Sequence, residues 1–325
     1  MTPELFRRLV TQASHAPSVH NVQPARWRLD GDTAWLFEDR QVRLPAADPT
    51  GHDAAMSLGA ALEGFAMAAS LEGLHVSIGR ADDDATSDLR PVARLTFEPG
   101  GVEDPLTAHV AARQSWRGDF PTPSSEDRQA AASLASPDCI PVTGPHTIRA
   151  IAQLSDMASF GFMLQDAFRA ELLSWMRLRR RHPDWARDGL NADAMRLGLL
   201  EKLGAGLVMG RGFRPLLHYR LAEKLLSEVD RTAGAAAIVV FHRPQGEDPF
   251  DSGRAFYRAW LRIEGAGFGA AVLAALADDP ESAKTLAAMV ELPEGRRIVS
   301  AFRIGRRPQD AAFARARRLL DELIV

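Results

Sequence analysis

Two short stretches of the chain concentrate side chains able to hold a ligand. In "SHAPSVHNVQPARW", residues 14–27, Ser18, Asn21 and Gln23 lie between Pro17 and Pro24. Asparagine carries both a donor and an acceptor, and the prolines stiffen the loop. Such a loop suits the edge of a planar heterocycle; it is equally an ordinary helix stop whose polar groups cap the preceding helix. In "ARQSWRGDF", residues 112–120, Arg113, Ser115 and Arg117 alternate, so an extended backbone turns all three to one side. Two guanidiniums flanking a hydroxyl form a phosphate grip, because each planar fork binds two oxygens at once. The competing reading is a solvated edge strand. A third basic group, Arg315, Arg317 and Arg318, reads by itself as a solvated tail.

Other patterns carry less. Gly265, Gly267 and Ala270 fit the dinucleotide spacing GxGxxA. That motif works only between a strand and a helix N-terminus, where backbone amides meet a pyrophosphate. Here "RAFYRAWLRIEGAGFGAAVLAALA" reads as one Ala/Gly-rich helix, whose glycines serve helix packing. His15 and His20 are five apart, off the helical spacing that aims two ligands at one metal. No histidine–carboxylate cluster accompanies them, and no metal is expected. Cys139 is the single cysteine, which excludes an intrachain disulfide and a multi-thiolate metal site; it reads as a bystander. The basic run "RLRRR" at 177–181 reads as a solvated helix face.

The elements that must position these residues follow from pattern. Thr2-Pro3-Glu4 opens an amphipathic helix that Pro17 and Pro24 stop. "RWRL" and "TAWLFED" form a hairpin around Asp30-Gly31-Asp32. Asp48-Pro49-Thr50-Gly51 opens a long helix over about 53–72, nearly apolar all round and therefore buried on most sides, closed by Gly73. "LHVSI" and "VARLTF" follow as strands, separated by an acidic loop at Asp82–Asp84. A helix starts at Thr122-Pro123, "CIPVTG" is a strand, and 147–180 holds one long helix or two shorter ones. Residues 182–232 are polar, glycine-punctuated and helix-prone, as an insertion would be. "AAAIVVFHR" and "IVSAFRIG" are buried strands. A weak internal echo links Asp48-Pro49-Thr50-Gly51, an Ala-rich helix and "RPVARLTF" with Asp251-Ser252-Gly253, a second Ala-rich helix and "RRIVSAFRIG".

A chain of 325 residues, 46% hydrophobic and 25% charged, can build one large or two ordinary domains around a sizeable core. Net charge is −3, which leaves no nucleic-acid footprint. No charge-free apolar run reaches about 18 residues, and "MTPELFRRLVTQ" lacks the apolar region of a signal peptide. A cytoplasmic protein without a membrane or nucleic-acid partner is the expectation.

Together these stretches resemble a known family. "APSVHNVQP" is similar to the "APSxxNxQPW" signature of the FMN-dependent nitroreductase superfamily, and "RQSWRGDF" to its "RxSxR…F" signature. "LPEG…FRIGRRP" followed by "RARRL" resembles its C-terminal strand, turn and basic phosphate-binding end. Standard members carry the Arg-Ser-Arg motif first. Here the Asn loop comes first, an order that resembles the single-chain, twin-domain (Acg-type) subgroup, to which "HPDWARDGL" is also similar. Ala25 stands where the signature has Trp, with Trp27 two residues on; this departure bears on loop packing more than on the cofactor.

The resemblance implies an α+β, nitroreductase-like fold in two tandem related units that form an intramolecular pseudo-dimer. The first half, 1–105, holds the Asn loop; the second, 106–325, holds the Arg-Ser-Arg motif and a helical insertion at about 182–232. The second half's counterpart of the Asn loop, "LASPDCIPVTG", lacks the asparagine and the Gln-Pro. One FMN site per chain is therefore expected, and a monomer suffices to complete it. By the same carry-over Arg113 and Arg117 hold phosphate or ribityl groups with Ser115 between them, and Arg317 and Arg318 complete the phosphate shell. Ser18, Asn21 and Gln23 serve the cofactor from the first half, and residues near Gly267–Leu273 border the ring. The implied activity is an NADPH- or NADH-dependent reduction of a nitro compound, quinone or similar small acceptor, in ping-pong fashion, with flavin N5 as the reactive centre and no catalytic side chain. The alternative is an FMN-holding protein without turnover, with 182–232 closed over the site.

Overall fold

The computed structural model describes residues 1–81, 87–198, 206, 208–308 and 315–325; the acidic loop Asp82–Asp84 lies outside them. The architecture is mixed α and β. Strands β1 (Ala25–Asp30), β2 (Thr33–Asp39), β3 (Leu74–Arg80) and β4 (Leu89–Pro99) form an antiparallel sheet in the order β1-β2-β4-β3. Strands β5 (Cys139–Val142), β8 (Ala237–Pro244), β9 (Gly269–Val272) and β10 (Arg296–Gly305) form a second, in the order β5-β8-β10-β9. The parallel pair β6 (Met176–Arg177) and β7 (Leu190–Asn191) stands apart.

In each sheet one long helix joins the second strand to the third: His52–Leu71 in the first, Pro249–Gly265 in the second. In each, the last strand bulges by one valine where it meets the second. Leu36 and Phe37 pair with Ala93 and Pro91, skipping Val92; Phe241 and His242 pair with Ser300 and Ile298, skipping Val299. The sheets differ in the first connection. Gly31, at φ 57°, turns β1 directly into β2, whereas 143–236 separates β5 from β8.

The two helices touch backbone to backbone. A β-carbon on Gly59 would lie 1.9 Å from the Phe250 carbonyl oxygen, and one on Gly253 would lie 2.1 Å from that of Met56. Gly59 and Gly253, like Met56 and Phe250, are 194 positions apart, so the contact is reciprocal. His52–Leu71 is, among the described residues, the one helix long and apolar enough to cross a membrane, and it is mostly buried within the protein. Trp27 stacks on Phe65 at 4.7 Å in the core of the first sheet, and Phe256 on Phe302 at 5.0 Å in that of the second.

Four local expectations are corrected. The Ala/Gly-rich stretch is not one helix: it ends at Gly265, turns through Gly267 at φ 79°, and continues as β9, because 269–272 pair with β10. Gly253 therefore lies inside a helix that Asp248 caps, and in packing it matches Gly59 rather than Gly51. The helix expected at Thr122-Pro123 begins at Ser125, since Ser124 and Asp127 close a capping box there. In "RLRRR", Arg177 is buried and pairs with Asp188 at 2.7 Å, while Arg179–Arg181 stay exposed.

Candidate functional site

A cavity of about 560 Å³ lies where the two sheets' helices, the Pro17–Asn21 loop and the C-terminal arm converge. Its walls include Ser18, His20 and Asn21, Asp53 and Met56 of the first long helix, Phe256 and Trp260 of the second, Arg113, Gln114, Ser115 and Arg117, and Arg315–Arg317. The arm reaches it because the chain's end returns to the first sheet: the Val325 amide donates to the Trp27 carbonyl at 2.8 Å. The Arg-Ser-Arg segment is placed by the Trp116 amide, which donates to Ala270 on β9 at 2.7 Å. Arg113, Ser115 and Arg117 all line the cavity.

The polar loop is bent into an uncommon shape. His20, Asn21 and Gln23 take φ of 45°, 57° and 55°, the left-handed region that non-glycine residues enter at a cost. Side chains hold it there. The Gln23 amide donates to Ser18 Oγ at 3.0 Å; Asn21 Nδ2 donates to the carbonyls of Ala316 (3.1 Å) and Gly189 (3.3 Å); Asn21 Oδ1 accepts from Arg317 at 2.9 Å. Gln23 does not reach the cavity. It lies behind the wall, where Nε2 donates to Arg187 and Oε1 accepts from the Arg318 amide. Arg318 is also behind the wall, paired with Asp188 at 3.1 Å.

Three arginines gather around His15. Arg113 donates to the His15 carbonyl at 2.7 Å and lies over the Trp260 ring at 4.5 Å; Arg315 meets His15 Nδ1 at 3.0 Å; Arg317 donates to the His15 carbonyl at 3.4 Å. Burial, then the charges of Arg113 and Arg315, brings the Arg317 guanidinium down to about 9. Burial and Arg113 bring Arg315 to about 10. Burial and then all three cations push His15 down to about 4, so it is neutral at pH 7. Glu264, a carboxylate whose charge acts on Arg113 and Arg315, is engaged by Arg307. The Nε atoms of Arg113 and Arg317 are buried without a hydrogen-bond partner. Excess buried positive charge with orphaned donors is an arrangement that an anion would satisfy.

Arg117 belongs to a different neighbourhood, beside His20, Glu228 and Arg303. Among the described residues it makes no hydrogen bond or ion pair. His20 is held neutral, down at about 4, by burial and then by Arg117, and its Nε2 is buried without a partner. Away from these cations the cavity carries two carboxyls that sequence reasoning missed. Burial, then Asp278 and Asp48, pushes Asp53 up to about 8; burial and Asp48 push Asp278 up to about 6. Asp53 reads in sequence only as a helix first-turn acid, and nothing local ties it to a residue so far along the chain. No group of three or more potential metal ligands occurs among the described residues.

No family model matches the chain. Two curated proteins of Mycobacterium tuberculosis share stretches with it. One, provisionally named NAD(P)H nitroreductase acg, is 32% identical over 99 residues, 30% of this chain and 29% of that protein. A second, also provisionally named an NAD(P)H nitroreductase, is 29% identical over 141 residues, 41% of this chain and 40% of that one. The matches thus span well under half of either relative. Among solved structures, the chain aligns with the FMN-dependent nitroreductase NfnB of Mycobacterium smegmatis in complex with NADPH at 17% identity and TM-score 0.37, covering 65% of this chain and 92% of that one. It aligns with a nitroreductase with bound FMN from Bacteroides fragilis at 12% identity and TM-score 0.35, covering 65% and 92%.

Proposed function

We propose that this chain, related to the nitroreductase superfamily through those stretches, is an FMN-dependent NAD(P)H oxidoreductase. The observation that carries the reading is the anion site: Arg113, Arg315 and Arg317 around a neutral His15, two of them with orphaned donors, on the wall of a cavity large enough for a cofactor. These residues fit a phosphate-bearing group and would hold it by charge-assisted bonds. Ser115, Arg117, Ser18 and Asn21 would face the rest of the cofactor. Gln23 and Arg318 would brace the loop from behind. The chemistry that a bound FMN supplies is hydride acceptance from NADPH or NADH and hydride donation to an oxidised acceptor. The protein's own part is to seat both substrates in turn in one cavity, which is why ping-pong turnover is proposed, with a nitro compound or quinone as acceptor.

The proposal includes the intramolecular pseudo-dimer, with one site per chain. Its support is the shared strand order, the paired valine bulges and the reciprocal glycine contact. Met56 and Ala60 line the cavity; the positions 194 residues on, Phe250 and Arg254, do not. There Arg254 pairs with Glu63 at 2.8 Å, Glu63 with Arg258 at 2.9 Å, and Arg80 lies over Phe250 at 4.2 Å. The same reading has the chain acting as a monomer in the cytoplasm on small molecules.

A second reading, a flavin-holding protein without turnover with 182–232 closed over the site, is favoured by the described residues of that stretch that wall the cavity, among them Leu190, Met209 and Leu226. The test is the visible spectrum of purified protein, with flavin counted per chain, before and after anaerobic NADPH or NADH. One FMN that bleaches supports the reductase. A yellow protein that stays yellow favours the holding reading. A colourless protein that takes up no FMN overturns both.

A further inference from the structure

The cavity is electrically two-ended. Apart from the arginine group, Asp53 and Asp278 line it from the first turn of the His52–Leu71 helix and from the end of the short Ala275–Asp278 helix, and with Asp53 raised to about 8 and Asp278 to about 6 the pair shares roughly one negative charge at pH 7. Among the described residues neither carboxyl makes a hydrogen bond or an ion pair. The neighbouring Asp48, by contrast, is engaged, accepting from the Ala54 amide at 2.8 Å. A third group points the same way. Ser300 is only 4% exposed, lines the cavity, and its hydroxyl has no hydrogen-bond partner among the described residues. It stands on β10 beside Ala301, whose carbonyl accepts from the Leu273 amide at 2.8 Å, just before the helix that ends in Asp278.

A half-buried Asp53 and an exposed Asp278 set beside each other and beside Asp48 repel, and a folded protein keeps such a like-charge group where something else satisfies it. Among the described residues no cation does so. Met56 and Val272, which line the same cavity, supply apolar surface rather than charge. The group that answers two acceptor-rich carboxyls and a serine hydroxyl is a nitrogen cation with several N–H donors.

We propose that the Asp53–Asp278–Ser300 end of the cavity binds the protonated nitrogen group, an ammonium or amidinium, of the second substrate. Only in naming that ligand the electron acceptor does this rest on the oxidoreductase reading. The consequence is a substrate class: acceptors with a reducible planar core and a basic nitrogen arm are preferred over neutral or acidic analogues of the same core.

The test uses three isosteric probes, benzamidine, benzamide and benzoate, titrated into the full chain as purified and followed by calorimetry. Benzamidine should bind about tenfold or more tightly than benzamide, the size of one charge-assisted bond over a neutral one, and benzoate should not bind at this end. In the Asp53→Asn/Asp278→Asn double variant that preference should disappear. Equal affinity for benzamidine and benzamide in the parent overturns the proposal, as does a preference that survives in the double variant. If the double variant does not fold, Asp278→Asn alone, at an exposed position on the cavity wall, should reduce the preference severalfold; an unchanged ratio overturns the proposal. The two readings fail separately. A colourless protein that still prefers benzamidine removes the oxidoreductase and keeps the cation site; a bleachable flavoprotein with no preference does the reverse.

Discussion

The carbonyl oxygen of Phe250 occupies the space that a side chain on Gly59 would need, 1.9 Å from the position of its β-carbon. With its reciprocal, Gly253 against Met56, this contact joins the two sheets' long helices at the bare backbone. Everything the cavity needs from both halves depends on that distance, because Asp53, Met56 and Ala60 project from one helix and Phe256 and Trp260 from the other.

Gly59→Ala and Gly253→Ala should therefore each destabilise the protein, by about 1–3 kcal/mol from overpacking against backbone that cannot yield. Gly161, within the Pro145–Met163 helix, has nothing within 4 Å of its would-be β-carbon. There alanine should be neutral or stabilising, by up to about 1 kcal/mol. Urea unfolding of the three variants separates the cases; equal effects at all three would remove the close-contact explanation.

Arg117 has no hydrogen bond or ion pair among the described residues to lose, so Arg117→Ala should leave the unfolding free energy within about 0.5 kcal/mol of the parent. Its effect should fall on ligand binding. Arg113→Ala and Arg317→Ala should weaken FMN binding roughly tenfold to a hundredfold, the value of a charge-assisted bond. Arg318→Ala, behind the wall, should act on stability first. Flavin fluorescence titrations with parallel melts give both readings, and flavin affinity untouched by Arg113→Ala would remove that arginine from the site.

Asp53 sets a pH dependence of known sign. Its folded-state pKa is raised from 3.8 to about 8 by burial, then by Asp278 and Asp48. Between these values the folded state binds more protons than the unfolded, so stability falls as pH rises from about 4 to 8 and levels above. Asp278, raised to about 6, adds to the lower part of that slope. Asp53→Asn should melt higher than the parent at pH 8, and the difference should vanish near pH 4. A difference that grows toward acid would contradict the assignment.

Asn21 acts as a clamp between the loop, the carbonyl of Gly189 and the C-terminal arm. Asn21→Ala should cost about 1–3 kcal/mol, because it leaves partners unsatisfied. It should also raise hydrogen exchange in residues 315–319 more than in β10. Uniform exchange across the chain would show that the clamp does not act locally.

What the sequence determined by itself is what is local. The period of the apolar residues marked the His52–Leu71 helix and the strands β1–β4, β8 and β10. Gly31 marked the first hairpin, and Ser18, Asn21, Arg113, Ser115 and Arg117 were legible as polar or cationic groups in two short stretches, which by themselves left a helix stop and a solvated edge strand open. Where local pattern and long-range pairing disagreed, pairing won: 269–272 carry helix-forming alanines but hydrogen-bond to β10 as β9, and Arg177 in a basic run is buried by Asp188.

Only the tertiary structure decided which groups meet. Arg113 joins Arg315 and Arg317 around His15, while Arg117 faces His20 instead; Gln23 and Arg318 stand behind the wall; Asp53 and Asp278 share one end of the cavity. The physical reason is range. Helix and strand propensities and turn geometry act over a few residues and leave a period in the sequence. Charge neighbourhood, burial and the pKa values that follow depend on groups hundreds of positions apart, and no spacing along the chain records them.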